Sequence, residues 1–191
     1  MARGALEGGA TSIQLRGKDR AFDELVEAGR SLGRICREFG RPLFINDRAD
    51  VASACGADGL HLGPEDLPPR EARRILGPEA LIGVSVYGPG DLAAAQDAGA
   101  AYVALGAIFP TATKEIDVVG LEGVRRLRKQ TALPIVAIGG ITADSAASVT
   151  AAGADGIAVV SALSGAADIE AAARRLRQII DGAQAKKGRG G

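Results

Sequence analysis

Four segments of this chain repeat one plan: EGGATSIQL, ACGADGLHLG, DAGAAYVALG and AAGADGIAVV. In each, a glycine is followed by a small residue and then by an apolar run. A glycine can take the left-handed conformation that closes a helix. Each echo therefore reads as a helix end, a tight turn and the start of a strand. Gly9, Gly56, Gly99 and Gly153 are spaced so that every interval holds two strand–helix units. Repetition of this kind confines the chain to a (β/α) barrel or a doubly wound sheet.

Seven short apolar runs carry the pattern: SIQL (12–15), PLFIN (42–46), GLHLG (59–63), LIGVSV (81–86), YVALGAI (102–108), PIVAIGG (134–140) and GIAVVSAL (156–163). Runs that are apolar on both sides suit parallel strands covered on both faces. Amphipathic stretches of helical length lie between most of them, among them 21–40 and 121–131. Near-even spacing, with the echo on alternate strands, favours the barrel. The expectation is an α/β (β/α)8 TIM-type barrel that lacks its first strand, leaving seven strands. Met1 to Leu6 supply only a helical stub where the later echoes have a full strand and helix. The strands at 12–15 and 156–161 should then be unpaired edges, which invite pairing with another chain. One domain, 1–182, is expected, with a frayed, disordered basic tail at 183–191.

Lys+Arg and Asp+Glu both number 23 in 191 residues, so the chain has no net charge. Nucleic-acid and membrane-surface proteins are usually more basic. With 3% aromatics and no Trp there is no platform for stacking single strands. No apolar run approaches membrane-spanning length. Cys36 and Cys55 lie in helical stretches without metal-ligand spacing and read as reduced core residues of a cytoplasmic protein. The oligomeric state is not legible; a homo-oligomer is compatible with the sequence.

The residues just after each strand carry the chemistry. Strand one ends in Gln14, Arg16 and Lys18, and the second in Asn46 and Asp47. Glu65 and Asp66 come after the third, and Ser85 and Tyr87 at the fourth. Thr111, Thr113 and Lys114 follow the fifth, Gly139 and Gly140 the sixth, and Val160, Ser161 and Ser164 the last. In a barrel these ends share one face, where the fold keeps its active sites. Arg16, Lys18 and Lys114 suit a polyanion. Asp47 and Asp66, on neighbouring strands, suit a magnesium ion held by carboxylates and substrate phosphates. Gly139 and Gly140, beside Val160 and Ser161, resemble a phosphate cradle after the last strands of a barrel. Two anion sites are expected: a metal-bridged pyrophosphate and a phosphomonoester.

Each residue has a plainer reading. Asp47 could pair with Arg48 or cap a helix, and Asp66 could cap the helix near Pro68 and Pro69. Gly139–Gly140 could be only a tight turn. His61, the single histidine, alternates with apolar neighbours and reads as a core or mouth residue.

The segments GGATSIQLRGK, FIND, GADGLHLGPED, GVSVY, ALGAIFPTATK, PIVAIGGI and GIAVVSALS resemble the thiamine-phosphate synthase family, from Gly8 to about Ile180. The resemblance implies an enzyme that joins an aminopyrimidine methyl diphosphate to a thiazole phosphate, giving thiamine phosphate and pyrophosphate. It implies that Gln14, Arg16, Lys18 and Asn46 contact the pyrimidine diphosphate, and that Asp47 and Asp66 hold Mg2+. Ser85 and Lys114 would contact the diphosphate, and Thr111 to Thr113 the thiazole. Gly140, Val160 and Ser161 would bind the thiazole phosphate. Lys114, Ser85 and Arg16 stand as the catalytic set.

The chain departs from the family at Pro64, where many members have glutamine, at Tyr87, where many have histidine, and in the absent first strand. Two other readings stay open at this point. One is a thiazole tautomerase-like relative, which typically relies on a histidine near the position of Tyr87. The other is a non-catalytic or truncated phosphate-binding barrel.

Overall fold

The computed structural model describes residues 1–110 and 117–187. Seven strands pair in chain order in one parallel sheet: β1 (Ile13–Leu15), β2 (Leu43–Asn46), β3 (Gly59–Leu62), β4 (Leu81–Ser85), β5 (Tyr102–Leu105), β6 (Ile135–Ile138) and β7 (Gly156–Ala158). The expected count of seven is met, with β1 and β7 at the two ends of that order. The chain divides into two compact units. One is formed mainly by Thr11–Val103, the other by Arg3–Ala10 with Ala104–Gly191.

In the Thr11–Val103 unit, α2 (Phe22–Glu38) buries Leu25, Val26, Gly29, Gly33 and Cys36. These residues recur at helical spacing, so one stripe faces inward. Gly29 lets α2 approach α3 (Ala49–Cys55), because a Cβ there would sit 2.8 Å from Cys55 Sγ. Helix α4 (Pro69–Leu76) starts on a proline, whose missing N–H costs nothing at a helix start. Helix α5 (Pro89–Asp97) is held at its start by the Asp91 carboxylate, which accepts from the Tyr87 and Gly88 N–H groups at 2.9 Å. All four residues of β3 are buried.

In the second unit, α1 (Ala2–Glu7) runs into Gly8, where any side chain would overlap Glu170 and Ala173 of α9 (Ile169–Lys187). Helices α6 (Gly120–Gln130) and α7 (Ala143–Ala151) flank β6, and α8 (Ser161–Ser164) follows β7. Here two expectations are corrected. The last strand stops at Ala158, and 161–164 is helical: backbone pairing with β6 ends where Ile138 meets Ala158. The segment 183–187 is not frayed but continues α9. Ala and Gln are good helix formers, and Gln184 donates to the Asp155 carbonyl at 2.8 Å. Among the described residues no helix is long and apolar enough to cross a membrane.

The echo has a physical cause. Gly9, Gly56, Gly99 and Gly153 all take positive φ, at 96°, 66°, 61° and 121°. In the two GADG copies the aspartate works alike. Asp58 Oδ2 accepts the N–H of Leu43, the first residue of β2, at 2.8 Å. Asp155 Oδ2 accepts the N–H of Ile135, the first residue of β6, at 2.8 Å. Each carboxylate ties the start of one strand to the turn before the next.

Candidate active site

The Thr11–Val103 unit gathers the charged candidates. Strands β1, β2 and β3 are parallel and in register, so the residues after their C-terminal ends come together. Asp47 sits one residue beyond β2 with φ at 65°, a conformation few residues other than glycine adopt. Its N–H donates to the His61 carbonyl at 2.8 Å, which fixes the bend. Arg16 and Lys18 reach the Asp47 carboxylate at 3.5 and 3.7 Å. Their own side chains are about half exposed (46% and 51%), whereas that of Asp47 is 19% exposed. The cations thus hold the carboxylate and still face solvent.

Asp66 approaches from the loop after β3. Its Oδ2 accepts the Gly63 N–H at 2.6 Å, and its carboxyl lies near enough to Asp47 to raise that group's pKa. Burial, the Asp66 hydrogen bond and the Asp66 charge push Asp47 up to about 6, against the pull of Lys18 and Arg16. Two hard oxygen donors, one of which holds its proton more tightly because the other is near, are a pair short of positive charge. A divalent cation is the kind of group that such oxygens would hold. Among the described residues no group of three or more His, Cys, Asp or Glu could hold a metal ion, so the pair would need substrate phosphates to complete a metal site. The plainer readings fail: Arg48 pairs with Asp50 at 2.6 Å, Arg48 itself caps α3, and Pro68 caps α4.

A second group, which the sequence reading did not assemble, lies beside the first. His61, 9% exposed on β3, uses both ring nitrogens: Nδ1 meets Tyr102 Oη at 2.9 Å and Nε2 meets Ser85 Oγ at 3.0 Å. The Gln14 amide lies near enough to the Tyr102 hydroxyl to favour its ionised form. The His61 and Tyr102 rings stack at 5.6 Å, and Phe44 meets Tyr102 edge-on at 5.6 Å. Two strand glycines make the room, because a Cβ at Gly83 would overlap the Tyr102 ring and one at Gly59 the Phe44 ring. Burial pushes the imidazole down to about 4, so it is neutral at pH 7. Burial likewise pushes the Tyr102 phenol up. The clue available in the sequence was the pairing of GLHLG with GVS and AYV, strands in which glycine stands opposite an aromatic residue.

In the other unit, Gly139 and Gly140 follow β6 with φ at 97° and 65°. Side chains there would collide with Ala107 and with Phe109 and Pro110. Val160, exposed, and Ser161 follow the neighbouring β7. Asn46 ends β2, half-buried, and Tyr87 is exposed. Thr111, Thr113 and Lys114 lie outside the described residues.

Comparison with known proteins gives this arrangement a context. The family described as thiamine monophosphate synthase matches residues 1–163. The thiamine-phosphate synthase of Moorella thermoacetica is 50% identical over 188 residues, 97% of this chain and 90% of that protein. That of Pyrococcus abyssi is 47% identical over 180 residues, 94% of this chain and 86% of that protein. A solved thiamine phosphate pyrophosphorylase from Pyrococcus furiosus superposes with a TM-score of 0.87 at 44% identity, covering 95% of this chain and 88% of that one.

Proposed function

The chain belongs to the thiamine monophosphate synthase family, and from it we infer a transferase that joins an aminopyrimidine methyl diphosphate to a thiazole phosphate, releasing pyrophosphate. The observation that carries this reading is the Arg16–Lys18–Asp47–Asp66 cluster. It offers two cations and a carboxylate pair to a diphosphate, the one group the reaction must expel. The tautomerase reading loses its support, since Tyr87 stands where that relative typically has a histidine and the single histidine of the sequence, His61, lies on β3.

Asp47 and Asp66 would hold Mg2+. When bound, the ion neutralises charge on the departing diphosphate. Arg16 and Lys18, already turned toward the Asp47 carboxylate, approach the diphosphate oxygens from the solvent side. Ser85 donates a hydrogen bond to them, and Lys114 adds a third cation. Each of these interactions strengthens as the carbon–oxygen bond breaks and charge collects on the leaving group, which lowers the barrier. The aminopyrimidine ring, oriented by Gln14 and Asn46, stabilises the cation left on its exocyclic methylene. The thiazole nitrogen, placed by Thr111 to Thr113 and by a phosphate grip at Gly140, Val160 and Ser161, then attacks that carbon. No proton has to be removed, so a buried neutral histidine is no obstacle. A cytoplasmic location fits an enzyme whose substrates are phosphorylated small molecules.

The test is a turnover assay with both substrates and Mg2+. Pyrophosphate and thiamine phosphate should appear in equal amounts, and Asp47→Ala and Asp66→Ala should each lose most of that activity with circular dichroism unchanged. Absence of product from the wild-type chain, or full turnover in either variant, overturns the reading.

A further inference from the structure

The Gln14–Tyr102–His61–Ser85 chain joins two residues that the proposed function gives separate tasks. Gln14 serves the pyrimidine and Ser85 the diphosphate. Between them run two hydrogen bonds, Tyr102 Oη to His61 Nδ1 at 2.9 Å and His61 Nε2 to Ser85 Oγ at 3.0 Å, with the Gln14 amide beside the Tyr102 hydroxyl. A phenol has one proton and a neutral imidazole has one. Two senses spend each of these protons along the chain. In one, Ser85 donates to Nε2, Nδ1–H donates to Tyr102, and Tyr102 donates to the Gln14 carbonyl. In the other, Gln14 donates to Tyr102, Tyr102 donates to Nδ1, and Nε2–H donates to Ser85.

We propose that His61 and Tyr102 are positioning residues that lock the second sense when substrate binds, so that Ser85 presents its O–H to the diphosphate while Gln14 presents its carbonyl to the pyrimidine. An anion selects this sense because it requires a donor from Ser85, and the Ser85 oxygen can spare its proton only if Nε2–H fills its acceptor side. At the far end the Gln14 carbonyl is left free, which matches the exocyclic amine of an aminopyrimidine. Recognition of the two ends of one substrate is thereby coupled through buried side chains. Neither His61 nor Tyr102 has to touch the reacting atoms. The burial of the imidazole keeps it neutral, and a doubly protonated ring would break the relay. The proposal rests on the assignment of Ser85 to the diphosphate.

The single histidine makes the test direct. With 15N-labelled histidine, the protein saturated with Mg2+ and pyrophosphate should show a pyrrole-type Nε2 and a pyridine-type Nδ1. A proton on Nδ1 in that complex, or an imidazolium, overturns the proposal, and this readout needs no variant to fold. Kinetics supply a second readout. Tyr102→Phe should lower kcat/KM for the pyrimidine substrate about 10-fold, the scale of one hydrogen bond to a charged group. Ser85→Ala added to it should cause little further loss, because both act on the same hydroxyl. Independent, multiplicative losses overturn the coupling. If Ser85→Ala alone keeps wild-type kcat/KM, the assignment of Ser85 has failed, while the His61 tautomer still decides the relay.

Discussion

Asp47 and His61 are perturbed in opposite senses, and each leaves a mark on stability. Asp47 is raised to about 6 in the fold, above the usual carboxylate value. The folded state therefore holds its proton more tightly, and the stability it contributes is present at low pH and lost as pH rises through about 6. His61 is lowered to about 4 from its usual 6.5. Its contribution is present above 6.5 and lost as pH falls toward 4. In the metal-free protein the two slopes oppose one another across pH 4 to 6.5. Asp47→Asn should uncover a stability that rises with pH in this window, and His61→Gln one that falls. Each slope amounts to about 1–2 kcal/mol once partial solvation is allowed for. Urea unfolding at three pH values in the presence of chelator measures it. Curves that run parallel to the wild type contradict the assignment.

At the scale of elements, the site depends on glycines placed within strands for space and not for backbone freedom. Gly83 in β4 vacates the volume taken by the Tyr102 ring. Gly83→Ala should cost about 1–3 kcal/mol through overpacking, and the displaced phenol should also lower activity. In a Tyr102→Leu background the same substitution should cost less stability, since the colliding ring is gone. Thermal unfolding of the four proteins forms the cycle, and equal penalties in both backgrounds would contradict the packing account. The GADG turns show the complementary device, with Asp58 and Asp155 each holding a strand start through its backbone N–H.

For the molecule as a whole, much is legible in the sequence. The four echo glycines announced repeated helix ends, and all four take positive φ. The cations and carboxylates after strands one to three were readable because parallel strands in register bring their ends together, as Arg16, Lys18, Asp47 and Asp66 show. What escaped the sequence depends on contacts across several strands. His61 looked like a core residue because its partners, Ser85 and Tyr102, lie 24 and 41 residues away. The end of β7 was overrun because Val159 and Val160 continue an apolar run that its neighbour no longer pairs. The end of α9 was missed because Lys186 and Lys187 at its end and the glycines after it mask the Ala–Gln–Ala segment that stays helical.

If Asp47 and Asp66 jointly bind the expelled diphosphate through a divalent cation, pyrophosphate alone should report it. Calorimetric titration of pyrophosphate into the wild-type chain, Asp47→Asn and Asp66→Asn, with Mg2+ and with chelator, makes the comparison. Binding by the wild type should require Mg2+, and each variant should lose at least about 10-fold in affinity, the scale of one charge-assisted contact. Equal affinity with and without Mg2+, or variants that bind as the wild type does, would contradict a shared metal site.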